Sequence, residues 1–244
     1  MQTELSNYND YDYKQQFWVN VDRRYEDTIE KKTLHRLLSK IPKAKTLLDA
    51  GCGFGRLFPA YQDRAENFVL MDYSDAMLDQ AKGSLGTTNI TYQQGNLINL
   101  PFADAQFDTV FSIRTLHHVE DPKQFFKEVY RVLKPGGHLL FEIPNKRHVL
   151  NIVRYSLCKT KFNPFAKGKV QLNTAYFNFH PTDVLTELQA YFEIQEKVNL
   201  SFFRSGILKK TIPYRVLVAL DLLCQRLFSF TNLTPSIYCL CRKK

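Results

Sequence analysis

Leu47-Leu48-Asp49-Ala50-Gly51-Cys52-Gly53-Phe54-Gly55 is the stretch that decides how this chain folds. An apolar run of strand length, Thr46 to Ala50, passes directly into three glycines at alternate positions. Glycines at a strand-to-helix turn let main chain approach a ligand closely, because no β-carbon intervenes. A glycine triplet alone is weak evidence, but here its surroundings agree. A helix is expected from Arg56 to Ala65 and a second strand from Asn67 to Met71. Asp72 closes that strand, 17 residues beyond Gly55. A carboxylate so placed can accept hydrogen bonds from both hydroxyls of a ribose.

Outward from the loop, strand and helix keep alternating. Ile29, Leu34, Leu37 and Leu38 recur at helical spacing and predict a helix over Glu26 to Ser39. Further helices are expected over Asp75 to Gly83 and Asp121 to Leu133. Strands are expected over Ile90 to Gln93, Asp108 to Ser112 and His138 to Ile143, the last after a Lys134-Pro-Gly-Gly137 turn. Alternation at this spacing means parallel strands joined by crossover helices. Past Pro144 the pattern changes to a basic, aromatic stretch over 145–180. Pro181 and Pro213 then open helices that reach Ala190 and Phe228. A long strand is expected over Phe192 to Phe203 and a final one over Ser236 to Cys241.

The chain has 244 residues, 44% of them hydrophobic and 23% charged, which excludes disorder as the dominant state. It suits one domain: an N-terminal arm (1–25), a cofactor-binding core (26–144), a substrate lid (145–180) and C-terminal strands and helices (181–244). Five scattered cysteines make no disulfide framework, and Cys239 and Cys241 lack the companions a metal site needs. No apolar run approaches membrane-spanning length and no signal peptide is evident, so the expected home is the cytoplasm. The net charge of +9 is uneven: up to Pro144 there are 17 basic and 19 acidic residues, and beyond it 16 and five. Seven of those cations lie between Lys146 and Lys169 with no acid among them. Such a field attracts anionic substrates, nucleic acid or a lipid surface.

The spacing of the glycines narrows the ligand. A dinucleotide fingerprint wants Gly at the first, third and sixth positions. Counted from Gly51, the sixth is Arg56 and the fifth is glycine instead. Asp49 at the loop mouth could organise a cationic ammonium group, so adenosine with a positive amino-acid tail fits better than a diphosphate.

At this point the residues resemble a known family. Leu47 to Gly55 resembles the first motif of class I S-adenosylmethionine-dependent methyltransferases, and four more motifs follow in order. They are Val69-Leu-Met-Asp-Tyr-Ser74 with Met77, Gly95-Asn-Leu97 with Leu100-Pro-Phe, Phe107 to Ser112 with Leu116-His-His-Val119, and Val132-Leu-Lys-Pro-Gly-Gly137. The resemblance is close over about residues 30–144. It implies an α/β fold with a doubly wound, mostly parallel seven-stranded sheet, Rossmann-like, with an antiparallel last strand, here carrying a basic lid insertion. It implies S-adenosylmethionine as cofactor. Asp49, Gly51, Cys52 and Gly53 would meet its methionine portion, and Asp72 and Tyr73 its ribose. Met77, Asn96 and Leu97 would lie about the adenine, with Ser112 and Ile113 under the sulfonium. Asn96 stands where the family often has Asp.

A sulfonium is already a good methyl donor, so positioning does most of the work and a general base is optional. Candidates for a base are His117, His118 and His180; Arg114 and Tyr25 are candidates for the acceptor side. An apolar, cationic lid suits a small-molecule or lipid-like acceptor with an anionic group. The helix from Pro213 to Phe228 is apolar around most of its girth and would pack in the core, in a homodimer, or on an acidic membrane surface. Two other readings stay open: an RNA methyltransferase, and a non-catalytic protein of the same fold that binds the nucleoside.

Overall fold

The computed structural model describes residues 18, 22–173 and 176–244. In chain order, α1 (Arg24–Leu38) leads to β1 (Ala44–Ala50), β2 (Ala65–Asp72), α2 (Asp75–Leu85), β3 (Ile90–Gln94) and β4 (Phe107–Ser112). Then come α3 (Pro122–Val132), β5 (Leu133–Pro144), α4 (Val149–Ser156), β6 (Lys169–Asn173), β7 (Tyr176–Phe179) and α5 (Pro181–Gln189). The chain closes with β8 (Phe192–Leu200), α6 (Gly206–Thr211), α7 (Tyr214–Phe228) and β9 (Ser236–Lys243).

The central strands are apolar on both faces, which only a sheet covered on both sides can bury. Leu48, Val110 and Leu139 pack with Phe125, Phe126 and Val129 of α3 on one face. Leu47, Phe111 and Leu140 pack with Leu34, Leu37 and Leu38 of α1 on the other. Seven strands result, in the order β3-β2-β1-β4-β5-β9-β8. β1 to β5 are parallel, and β9 runs antiparallel between β5 and β8. This is the expected doubly wound sheet with its antiparallel last strand. The strand order reverses between β1 and β4, so the crevice for a ligand opens at the carboxyl ends of those two strands. β8 also ends at that edge, because it is antiparallel to β9.

Three expectations need correction. The helix expected over Arg56 to Ala65 is a set of turns around one short 3-10 segment, Phe58–Ala60. Pro59 has no N–H for an α-helical ladder, and the compact turn drives Phe58 and Tyr61 against Phe68 at ring distances of 5.0 and 6.0 Å. The arm expected over 1–25 lies largely outside the described residues, and Arg24 and Tyr25 already belong to α1. The 145–180 stretch, for which no elements were expected, holds α4 and a β6–β7 hairpin, and Phe177 and Phe179 enter the main core. The hairpin is tied to the end of β5 by Lys146 N–H donating to the Phe179 carbonyl at 3.0 Å.

Candidate active site

The glycine loop leaves β1 at the reversal point and is fixed to β2. Gly51 and Cys52 both donate N–H to the Met71 carbonyl, at 2.7 and 2.9 Å. Gly51 has φ +93°, and a β-carbon there would stand 2.1 Å from the Thr115 methyl. Gly53 has φ +54°, and no described atom lies within 4 Å of where its β-carbon would be. Its bare face therefore looks into the open crevice, while its N–H donates to Asp72 Oδ2 at 2.8 Å. Asp72 Oδ1 accepts from Ser74 N–H at 3.0 Å, which aims the carboxylate back over the loop. Burial raises the pKa of Asp72 against the pull of those N–H donors.

The remaining expected cofactor positions surround this pair. Ser74 caps α2, its hydroxyl accepting from Met77 N–H at 3.4 Å, and Met77 is buried beneath the crevice. Tyr73 is exposed. At the end of β3, Gly95 N–H donates to the Asp72 carbonyl at 3.0 Å. The Asn96 side-chain oxygen accepts from Ile98 N–H at 3.1 Å, holding a tight turn in which Leu97 packs on the core. Ser112 is buried; its hydroxyl donates to the Ala50 carbonyl at 2.8 Å and meets Thr115 Oγ1 at 2.6 Å, so it ties β4 to β1 beneath the loop. Ile113 is buried beside it. Asp49 is buried, accepts from the Tyr61 hydroxyl, and is pushed up to about 7 by burial, against the Tyr61 hydrogen bond and helped by Asp72.

On the acceptor side the expectations divide. His117 and His118 stand together just past β4, ring centroids 4.1 Å apart, and Tyr176 stacks on them at 5.1 and 5.0 Å. Burial, helped by His118 and the Arg114 and Arg204 cations, lowers the His117 pKa well below the usual imidazole value. His117 is therefore neutral at pH 7, able to accept a proton but only as a weak base. His180 is not brought to this pair: it follows β7, four residues beyond Tyr176, roughly 13 Å along an extended strand. There it precedes α5 and is buried, and its Nδ1 has no hydrogen-bond partner among the described residues.

Tyr25 and Arg114 are occupied elsewhere. The Tyr25 hydroxyl donates to Asp221 of α7 and accepts from Phe203 N–H at 3.1 Å, in a fully buried contact. Arg114 forms a buried ion pair with Glu30 of α1, while its own N–H donates to Glu142 at 2.8 Å. Neither side chain is free to hold an acceptor.

Residues that the sequence reading passed over complete the edge. Arg56 pairs with Asp27 and Glu30, each at 2.6 Å, so Glu30 joins two guanidinium groups. Trp18 covers this cluster, its ring centroid 3.6 Å from the Arg56 guanidinium carbon. The signal was there: Glu26, Glu30 and Thr33 recur on the inward face of α1 at helical spacing. Arg204 sits in the loop leaving β8 at the ligand edge. It has no hydrogen bond or ion pair among the described residues, although its charge reaches both His117 and His148.

A methyltransferase-domain family profile matches residues 48–141, from β1 to β5. A "probable S-adenosylmethionine-dependent methyltransferase" of Mycolicibacterium smegmatis is 31% identical over 197 residues, 80% of this chain and 66% of that protein. A ubiquinone biosynthesis O-methyltransferase of Coxiella burnetii is 30% identical over 52% of this chain and 55% of that protein. The chain thus spans less than two thirds of the length of these curated relatives. The crystal structure of an S-adenosylmethionine-dependent methyltransferase from Mesorhizobium loti shares the fold, with a TM-score of 0.64 at 20% identity, covering 89% of this chain and 99% of that one. The chain belongs to the class I S-adenosylmethionine-dependent methyltransferase family, a family of enzymes that use S-adenosylmethionine as cofactor.

Proposed function

We propose that this protein transfers the methyl group of S-adenosylmethionine to a small or lipid-like acceptor carrying an anionic group. The cofactor would supply a methyl activated by its sulfonium. The chain supplies the rest: Gly51 to Gly53 offer bare main chain to the methionine portion, Asp72 takes the ribose hydroxyls, and Met77 and Leu97 flank the adenine. Asp49, held by Tyr61, faces the ammonium group. Ser112 and Ile113 form the floor, and neutral His117 stands where a proton leaving the acceptor would go. The ubiquinone biosynthesis relatives are compatible with a lipid-like acceptor.

The observation that carries the acceptor class is Arg204. This guanidinium follows β8 at the ligand edge and its charge reaches His117 and His148; it makes no hydrogen bond or ion pair among the described residues, and only the more distant Glu26, Glu30 and Glu142 act on it. A carboxylate, phenolate or phosphate would complete it. The test is calorimetry with S-adenosylhomocysteine followed by methyl transfer to a panel of anionic acceptors. Arg204→Ala should leave cofactor affinity unchanged and raise the acceptor KM by roughly tenfold to a hundredfold, the loss of a charged hydrogen bond. Cofactor binding with no turnover across the panel would instead favour a nucleoside-binding protein without catalysis.

A further inference from the structure

We propose that α7 and α4 dock the protein on an anionic lipid bilayer. The inference is independent of methyl transfer and rests on two helices that bury polar side chains and leave an aliphatic stripe exposed, α7 also burying Leu217 and Val218 against Tyr25 and Ile29. α7 buries Asp221 and Gln225 toward α1: Asp221 holds Tyr25, and Gln225 donates to Thr33 at 3.0 Å. On the opposite side Val216, Leu220, Leu223 and Leu227, at successive helical turns, face outward, with Leu223 52% and Leu227 54% exposed. α4 repeats the arrangement. Asn151 is buried, donating to the Lys146 carbonyl at 3.0 Å, while Val149, Leu150 and Val153 stand exposed. Helices of water-soluble folds place their aliphatic stripe inward, and a continuous outward stripe marks a surface that meets something apolar.

The two helices are linked through the segment that follows α7. Val149 N–H donates to the Leu233 carbonyl at 2.9 Å, and the Asn145 amide to that of Asn232 at 2.8 Å, so the start of α4 abuts the segment leaving α7. That segment carries Phe230, 76% exposed. α4 leaves β5 and the 229–235 segment enters β9 at the ligand edge of the sheet, so the apolar surface borders the crevice.

Charge selects the occupant. Between Lys146 and Lys169 there are seven cations and no acid, and between Arg204 and Phe230 five cations and one acid, the buried Asp221; setting aside buried Lys146, Lys169 paired with Glu120, Lys209 paired with Glu26, and Arg204, eight cations remain for a partner. A second copy of the chain would set these cations against one another, whereas anionic headgroups would neutralise them while acyl chains receive the stripe. No helix among the described residues is long and apolar enough to cross a membrane, so the contact is at the surface.

The experiment is co-sedimentation of the full chain with vesicles of phosphatidylcholine alone and of equimolar phosphatidylcholine and phosphatidylglycerol. Binding to the mixed vesicles should be at least roughly tenfold tighter and should weaken as salt is added. The double variant Leu223→Glu, Leu227→Glu should lose at least roughly tenfold of that binding, with Tm and S-adenosylhomocysteine affinity unchanged. No sedimentation with mixed vesicles, or undiminished binding by the variant, overturns the proposal. So does a fall in Tm, which would show the stripe packed against another part of this chain. A dimer in analytical ultracentrifugation that the variant dissolves, without vesicle binding, would give the surface to a second copy and equally overturn it.

Discussion

At the residue scale the site is a contest between burial and hydrogen bonding. Asp72 is held by two main-chain N–H donors that also fix the loop, so it is oriented before any ligand arrives. Asp72→Ala should weaken S-adenosylmethionine binding by about 1.5–3 kcal/mol, the range for a charged hydrogen bond, measured by calorimetry. Asp49 behaves differently. With a folded-state value of about 7 against an ordinary 3.8, the folded protein binds a proton there that the unfolded chain releases. Stability therefore falls as pH rises from about 4 to about 7. A cationic ligand favours the ionised form, so cofactor binding below pH 7 should release a proton and tighten as pH rises. Asp49→Asn should raise Tm at pH 8, by about 2–4 °C per kcal/mol gained. It should also abolish the pH dependence of the dissociation constant, which scans and calorimetry at pH 6 and pH 8 would show.

At the element scale, α1 is locked to the ligand edge by charge as well as by packing. Glu30 is fully buried; burial alone would raise its pKa, but Arg114 and Arg56 hold it down at about 2. Its contribution is present above pH 4.5, the ordinary glutamate value, and is lost as pH falls toward 2. Glu30→Gln leaves Arg114 without its ion-pair partner and Arg56 with Asp27 alone, and should cost about 3–5 kcal/mol at neutral pH. The difference in thermal unfolding between variant and parent should then shrink as pH falls from 4.5 toward 2. The helix itself was legible, because Ile29, Leu34, Leu37 and Leu38 keep the helical period. The ion cluster was not, because Arg56 and Arg114 come from loops 58 residues apart that converge only once the sheet forms. For the same reason Tyr25 and Arg114 looked available in the sequence: their partners, Asp221 and Glu30, lie 196 and 84 residues away. The segment after Gly55 misled in the opposite sense, since a short-range helical pattern yielded to Pro59 and to the ring packing of Phe58.

At the scale of the whole molecule, the chain divides by charge at Pro144. The glycine loop, Asp72 and the turn at Asn96 were readable because each is a local pattern at the end of a strand, in the near-neutral stretch before Pro144. The surroundings of His117 and His118 were less readable, because Tyr176 meets both rings from the hairpin and the Arg204 charge reaches His117 from the loop after β8. The division has a measurable consequence. In the proposed binding mode the cofactor contacts lie inside the crevice on residues of the near-neutral part, so the dissociation constant of S-adenosylhomocysteine should change less than about twofold between low and high salt, at ionic strengths where exposed charges are screened. The acceptor meets the basic part and should respond. A small anion held by Arg204 would show a shallow rise of KM with salt, of about one counterion. An RNA spread over the cations between Lys146 and Lys169 would instead lose affinity with a logarithmic slope of about 0.7 per phosphate engaged. Titration of a short single-stranded RNA across a salt series, beside KM for an anionic acceptor, separates the two, and a slope of several units for RNA with turnover would move the protein to the nucleic-acid class.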